Sequence, residues 1–144
     1  MSDLSDRTHP RARRRERARP AALAGRWLAP VALMGVIYFF SAQPDLSSGL
    51  GVFDLIGRKL IHAAEFGLLC FLWWRALRTA LAPAPALASA LFLAVGYAAL
   101  DEYHQTFVAG RNGSPVDVAI DALGATAMTG WLARRGRRAP GAAR

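Results

Sequence analysis

The feature that most constrains this chain is a series of long apolar runs between two arginine-rich ends. Residues 27–42 form one run without a charged residue, and residues 82–100 form another. Hydrophobic residues make up 53% of the sequence, which leaves the middle of the chain too little polar surface to coat a soluble domain. A helix of about 20 apolar residues crosses the hydrocarbon core of a bilayer. The sequence therefore predicts an integral membrane protein with basic ends.

Helix-start and helix-stop signals divide the apolar region into four expected spans. Gln43-Pro44-Asp45 ends the first span, and Ser114-Pro115-Val116-Asp117 has the N-cap, proline and acidic residue typical of a helix start. The second span is the weakest, because it carries His62, Glu65 and Arg75, and a three-span chain without it is the alternative. We expect an all-α, four-transmembrane-helix bundle over residues 21–133, with spans at about 21–42, 60–77, 82–100 and 116–133. Residues 1–20 are expected to be a disordered basic arm, and residues 134–144 a basic tail.

The distribution of basic residues predicts that both termini are cytoplasmic. With four spans and the N-terminus inside, 15 of the 18 Lys and Arg fall in the two ends and in the connection between the second and third spans. Cytoplasmic segments of membrane proteins carry this excess. The sequence has one Lys against 17 Arg and is rich in Ala, which suggests a bacterial genome of high GC content. We therefore expect a multi-pass protein of a bacterial plasma membrane.

Composition also excludes several kinds of partner and site. The single cysteine, Cys70, rules out an internal disulfide and a cysteine-based zinc site. The arginine-rich ends lack the aromatic or glycine pattern of an RNA-binding module, so we expect no nucleic-acid partner. Basic flanks of membrane helices contact anionic lipid head groups instead. Membrane lipids are therefore the expected partners of the two ends.

Nine ionisable side chains and one glutamine, from three spans and one loop, are expected to meet near the outer membrane face. Three of them follow each other at i, i+3 and i+6 in the second span, and two are spaced i, i+4 at the start of the fourth. Ionisable groups at membrane depth are costly, so they should face the bundle interior and one another. The expected cluster contains Lys59, His62, Glu65, Asp101, Glu102, His104, Gln105, Arg111, Asp117 and Asp121.

This cluster allows three interpretations. In the first it is a catalytic or binding pocket, with Glu102, His62 and His104 as acid–base groups and with Arg111 and Lys59 binding an anion such as phosphate. The remaining acidic residues and Gln105 would then bind or orient. In the second, the cluster holds a divalent metal, because His-x-x-Glu facing acids on another helix resembles ligand spacing in bundles. In the third, it is an ion-pair network that fixes helix register. We expect no other cofactor.

Three motifs resemble a known family. They are Phe40-Ser41-Ala42-Gln43-Pro44, Lys59-x-x-His62-x-x-Glu65-Phe66 and Asp101-Glu102-x-His104-Gln105-x-Phe107-x-x-Gly110-Arg111-x-Gly113-Ser114-x-x-Asp117-Val118-x-x-Asp121-x-x-Gly124. In order and spacing the chain resembles the VanZ-like membrane proteins, which are related to the accessory protein of glycopeptide resistance clusters. The resemblance covers residues 31–133. Ala42 and Ala109 depart from the family pattern, which often has Ser and Pro there.

The resemblance implies a four-helix membrane protein whose motif residues face the outer surface, and for some members lower susceptibility to teicoplanin-type antibiotics. It supplies no reaction, so whether the protein is an enzyme stays open. One hypothesis is an outer-face enzyme or binder that acts on a lipid-linked envelope precursor or on a glycopeptide. A second is a non-catalytic factor or partner subunit, and a homo-oligomer is compatible with so thin a bundle. A third, a small transporter, is disfavoured because the inner halves of the spans carry few polar residues.

Overall fold

The computed structural model is a bundle of four α-helices and describes residues 10–44 and 52–138. The helices are α1 (Pro10–Ser41), α2 (Val52–Leu77), α3 (Pro83–Gln105) and α4 (Pro115–Arg137). No strand occurs in these two described ranges, which confirms the predicted all-α fold class. The helix-start prediction at residue 114 is also confirmed, since the side chain of Ser114 caps α4 and Pro115 opens it.

All four helices are longer than their expected spans, and α2 begins at Val52 instead of at residue 60. The backbone of α1 continues toward the N-terminus as far as Pro10, through a segment of Arg and Ala, both of which are strong helix formers. The backbone of α3 continues through the polar run that follows residue 100 and ends at Gln105. Because this run is helical, its side chains are directed by helical spacing and not by a loop. That spacing decides which of them reach the site.

Within the described part of the chain, three helices are long and apolar enough to cross a membrane, by length and composition. The segments are Pro20–Ser41, Ile56–Leu77 and Pro83–Gln105. The second expected span is therefore among them, although its charges made it the weakest of the four in the sequence. α4 is not among them, because it combines Asp117 and Asp121 with several Gly and Thr residues in 23 residues. A fourth crossing stays a prediction.

α2 and α4 run in the same direction and are in close contact. Lys59 pairs with Asp117 near the start of both helices, and Cys70 Sγ lies 3.4 Å from Thr129 Oγ1 further along both. Between these contacts, a Cβ atom on Gly124 would lie only 1.9 Å from the carbonyl oxygen of residue 63. Only glycine therefore permits the two backbones to approach this closely.

α1 and α3 also run parallel to each other and opposite to the other pair. Ser41 Oγ donates to Asp101 Oδ2 at 2.8 Å near their C-terminal ends, and Tyr97 Oη donates to the carbonyl of Met34 at 2.7 Å nearer their middles. Fully buried alanines at residues 86, 90, 94 and 98 let α3 lie close to its neighbours. The C-terminal ends of α1 and α3 thus meet the N-terminal ends of α2 and α4, at what we call the site end of the bundle.

Candidate functional site

A cavity of about 300 Å³ lies at the site end, and we call it the polar cavity. Seven of the ten side chains predicted from the sequence line it, together with residues of the α3–α4 loop and of α4. The lining residues are Arg58, Lys59, His62, Glu102, Gln105, Gly110, Arg111, Asn112, Asp117, Ile120 and Asp121. The expected convergence of three helices and one loop is therefore present in the structure.

An ion pair between Lys59 of α2 and Asp117 of α4 lies on the wall of the polar cavity. Both side chains are about one-third exposed, so solvent screens the pair and its contribution to stability is small. Asp117 also lies in the first turn of α4, where a negative charge interacts favourably with the helix dipole. Lys59 is thus held at the cavity while remaining accessible to a ligand.

Deeper in the cavity, His62 of α2 faces Asp121 of α4. Asp121 is only 1% exposed, and neither of its carboxylate oxygens has a hydrogen-bond partner in the described part of the chain. Its ion-pair partner is His62, whose Nδ1 atom lies 3.7 Å from Oδ2, which is too long for a hydrogen bond. A buried carboxylate without hydrogen bonds is costly. It stabilises a positive charge on the neighbouring imidazole, which makes His62 a candidate proton donor or acceptor.

Glu102 of α3 is both a wall of the cavity and an anchor for the loop before α4. It is 5% exposed, its Oε2 atom accepts from the backbone N–H of Ser114 at 2.9 Å, and its Oε1 atom accepts from Gln105 Nε2 at 3.3 Å. The loop packs so tightly here that a Cβ atom on Gly113 would lie 2.1 Å from the carbonyl oxygen of Glu102. Both hydrogen bonds come from uncharged donors, so the carboxylate is held in place by groups that do not neutralise it.

Asp101, the neighbour of Glu102, is turned toward α1 and does not line the cavity. Its Oδ2 atom accepts from Ser41 Oγ at 2.8 Å and from Gln105 Nε2 at 3.0 Å, and it is 2% exposed. Ser41 was not predicted as a site residue, although it lies in the first family-like motif. The motif was the available signal, and the contact with Asp101 explains why a polar residue stands at the end of an apolar span.

Arg111 closes the end of α1. Its Nε atom donates to the carbonyl of Gln43 at 2.9 Å, Nη2 donates to the carbonyl of Phe40 at 3.1 Å, and Nη1 donates to Gln105 Oε1 at 3.3 Å. The last carbonyls of a helix lack partners within the helix, so the guanidinium acts as a C-terminal cap for α1. The sequence predicted anion binding at Arg111, but it did not reveal this capping contact.

Two further predicted residues do not reach the polar cavity. His104 shares the face of Asp101 on α3, and this face is directed at α1. There its ring stacks on Tyr38 with centroids 4.6 Å apart. Glu65 lies about one turn beyond His62 in α2, half-buried and outside the lining of the cavity. Helical spacing identified the faces of both residues, but it did not say which neighbour each face would meet.

A metal ion finds no ready-made ligand set here. Among the side chains that the structure describes, in residues 20–44 and 56–138, no three of His, Cys, Asp or Glu are arranged to share one ion. The acidic residues of the cluster are used separately, with Asp101 bonded toward α1, Asp117 paired with Lys59 and Asp121 facing His62.

Fold and site together define a small all-helical membrane protein with a polar cavity at one end of its bundle. The chain belongs to the VanZ/LLP1 family, because a family model of that description matches residues 24–134, which is more than half of the chain. This match confirms the resemblance carried by the three motifs, and all cavity-lining residues lie within it. No curated protein and no solved structure matches the chain.

Proposed function

We propose that this VanZ-family protein binds the anionic head group of a lipid-linked envelope component in the polar cavity. In this proposal all four helices span a bacterial plasma membrane, both termini are cytoplasmic, and the site end faces outward. The observation that carries it is a cavity of about 300 Å³, at the end of membrane-spanning helices, that combines cationic side chains with a histidine backed by a buried carboxylate. Pockets of this size hold small ligands or head groups.

Charge supports an anionic ligand. Lys59 and Arg111 line the same cavity, and the three hydrogen bonds of Arg111 go to uncharged oxygens. Its positive charge is therefore not neutralised by those contacts, and its fork of N–H groups suits a phosphate. Lys59 forms an ion pair with Asp117, but both side chains are about one-third exposed. An anionic ligand can therefore compete with Asp117 for Lys59.

Proton transfer is supported more strongly at His62 than at Glu102. His62 lines the cavity with an unbonded, buried carboxylate behind it, in an arrangement that orients an imidazole and stabilises its charged form. Both carboxylate oxygens of Glu102 already accept hydrogen bonds, one of them from the backbone of the loop. We therefore propose His62 as the principal acid–base group, with Asp121 orienting it and Glu102 shaping the cavity.

A binding experiment tests the head-group proposal. The full chain in a non-ionic detergent is titrated with hexyl phosphate while its thermal unfolding is followed, since a ligand of the folded state raises Tm. Lys59→Gln should weaken hexyl phosphate binding about tenfold, the loss of one charge-assisted contact. Arg134→Gln, which removes an exposed positive charge at the opposite end of the bundle, should leave it unchanged. Equal binding by both variants would remove the polar cavity from the proposal.

The sidedness of the site is tested by cysteine labelling. In a Cys70→Ala background, Asn112→Cys places a thiol at the polar cavity and Arg138→Cys places one just beyond α4. A membrane-impermeant maleimide applied to intact cells should label residue 112 and not residue 138. Labelling of residue 138 alone would place the cavity in the cytoplasm and overturn the envelope proposal.

An effect on glycopeptide susceptibility is the cellular extension of the same proposal. Expression of the chain should raise the inhibitory concentration of teicoplanin in a susceptible strain. His62→Ala at equal protein level should abolish that increase if His62 takes part in a reaction. An increase that survives both His62→Ala and Glu102→Gln would exclude catalysis by these groups.

A second candidate function is a non-catalytic partner subunit in which the cluster only fixes the bundle. It is favoured by one set of contacts: Lys59 is paired, Arg111 caps α1 and Glu102 holds the loop. Buried networks of this kind fix helix register. In that case Lys59→Gln would lower stability without changing hexyl phosphate binding, so the titration above separates the two candidates.

A further inference from the structure

A second cavity, of about 340 Å³, lies on the flank of the bundle between α3 and α4. We call it the flank groove. Its walls are Ala99, Tyr103 and Thr106 of α3 on one side and Pro115 and Val118 of α4 on the other. Glu102 lines both the flank groove and the polar cavity, and the loop residues Gly113 and Ser114 pack against it on the groove side. The two cavities therefore lie next to each other, on either side of Glu102.

The surroundings of the flank groove are apolar. Ala99 and Tyr103 belong to a helix that is long and apolar enough to cross a membrane, and the nearby Leu100 and Val116 are more than 60% exposed. In a bilayer such side chains contact lipid and not water. The groove follows α3 from Ala99 to Thr106, a length of about 10 Å at the usual rise per residue. It therefore offers a hydrocarbon chain a lateral way in from the membrane.

We propose that the flank groove holds the upper part of the hydrocarbon chain of an amphiphile whose anionic head group lies in the polar cavity. The inference rests on the function proposed above and specifies its ligand: an anionic lipid that enters sideways, with Glu102 at the junction of head and chain. A lipid is favoured over a protein partner because an apolar groove lies beside a polar cavity, with Glu102 lining both. An amphiphile likewise has a polar head group next to an apolar chain.

The groove selects and orients the ligand more than it adds affinity. A chain that moves from the bilayer into the groove leaves surroundings that are equally apolar, so only packing is gained. The expected effect of blocking the groove is therefore modest. Ala99 is exposed on the groove wall, so Ala99→Trp fills the groove without changing the core. Leu100→Trp adds an indole at the next exposed position, outside the groove, and serves as the matched control.

The test uses phosphatidic acid with a diazirine near the ester end of one acyl chain. The full chain is reconstituted in phosphatidylcholine nanodiscs, irradiated and mapped by peptide mass spectrometry. Labelling should concentrate on Ala99, Tyr103, Thr106, Pro115 and Val118, above that of Phe92, Leu100 and Leu123, which are exposed outside the groove. Ala99→Trp should lower labelling of the groove about fivefold, since packing alone is lost, and Leu100→Trp should not. Uniform labelling of all exposed residues, or no effect of Ala99→Trp, would overturn the inference.

A neutral probe separates this inference from the function on which it rests. Diacylglycerol with the same diazirine chain has no phosphate. If it labels the flank groove as strongly as phosphatidic acid does, the groove is a chain site but the anionic head group is wrong. If unlabelled phosphatidic acid competes with the anionic probe while labels fall outside the groove, the head-group proposal stands and the groove is wrong.

Discussion

The cluster of polar side chains has two halves, one between α1 and α3 and one between α2 and α4, and they differ in the hydrogen bonding of their buried carboxylates. In the α1–α3 half, Asp101 accepts two hydrogen bonds from Ser41 and Gln105 and joins two helices. In the α2–α4 half, Asp121 is equally buried but has no hydrogen bond in the described part of the chain and faces His62 at 3.7 Å. The two residues occur in the same motif, yet the first has the contacts of a structural group. The second has the contacts expected of a functional residue, because its carboxylate is buried without hydrogen bonds.

The largest effect is expected from disrupting the α2–α4 half at its closest approach. Gly124→Ala would place a Cβ atom 1.9 Å from a backbone oxygen of α2, so the helices must separate. We expect a loss of stability of about 3 kcal/mol or more from this overpacking. Denaturant unfolding in detergent measures it.

Gly130→Ala is the control for that substitution. This glycine lies on the same helix, and a Cβ atom added to it would have no other side chain or helix within 4 Å. The change should be neutral or slightly stabilising, by about 0.5 kcal/mol, because alanine favours a helix over glycine. A similar loss in both variants would mean that helical glycine itself, and not the contact between α2 and α4, is required.

The second-largest loss of stability is expected from a substitution in the α1–α3 half. Asp101→Ala removes the acceptor shared by Ser41 and Gln105, which leaves Ser41 Oγ without this acceptor and Gln105 Nε2 with Glu102 alone. The expected loss of stability is about 2 kcal/mol. Ser41→Ala, which removes one donor and leaves the other bond intact, should cost about 1 kcal/mol. Because Asp101 lies outside the polar cavity, hexyl phosphate binding by the folded fraction of Asp101→Ala should be nearly unchanged.

Asp121→Asn should behave in the opposite way. Asn removes a buried charge that makes no hydrogen bond, but it also removes the ion-pair partner of His62, so the two effects should nearly cancel and stability should change by less than about 1 kcal/mol. The activity or antibiotic phenotype that depends on His62 should be lost, because the imidazole no longer has a negative charge behind it. A large loss of stability in Asp121→Asn would show that the two halves are both structural.

The smallest effect is expected at the mouth of the cavity. Lys59→Gln breaks a screened ion pair with Asp117 and should lower stability by only about 0.5 kcal/mol. Unfolding in low and high salt checks this, since the difference between Lys59→Gln and the parent should shrink as salt rises. A difference that is independent of salt would indicate that Lys59 contributes through packing of its aliphatic stem.

Much of the fold followed from hydropathy and spacing. Charge-free runs predicted α1 and α3, although α3 continues five residues past the expected end to Gln105, and the sequence Ser114-Pro115 predicted where α4 begins. The i, i+4 spacing of Asp117 and Asp121 correctly directed both residues toward α2 and the polar cavity. These features are local, so a single helix turn carries enough information to predict them.

The rest depended on which helix each face would meet. The contacts of Arg111 with the end of α1 join residues 68 and 71 positions apart, and no local sequence pattern predicts them. His104 illustrates the same limit: its helical face was predictable, but whether that face would meet the cavity or Tyr38 depended on where α1 packs. Long-range packing thus separates acid–base candidates that look equivalent in the sequence.

The cap on α1 also has a consequence for biosynthesis. The carbonyls of Phe40 and Gln43 accept hydrogen bonds from Arg111, which the ribosome adds 71 and 68 residues later. The Phe40 carbonyl also accepts from the nearby Gln43 N–H, so the end of the first helix has a local hydrogen bond but lacks its side-chain cap until the loop after the third helix has been made. The last loop to be synthesised thus caps the first helix. A chain interrupted before residue 111 leaves the end of α1 without the Arg111 cap.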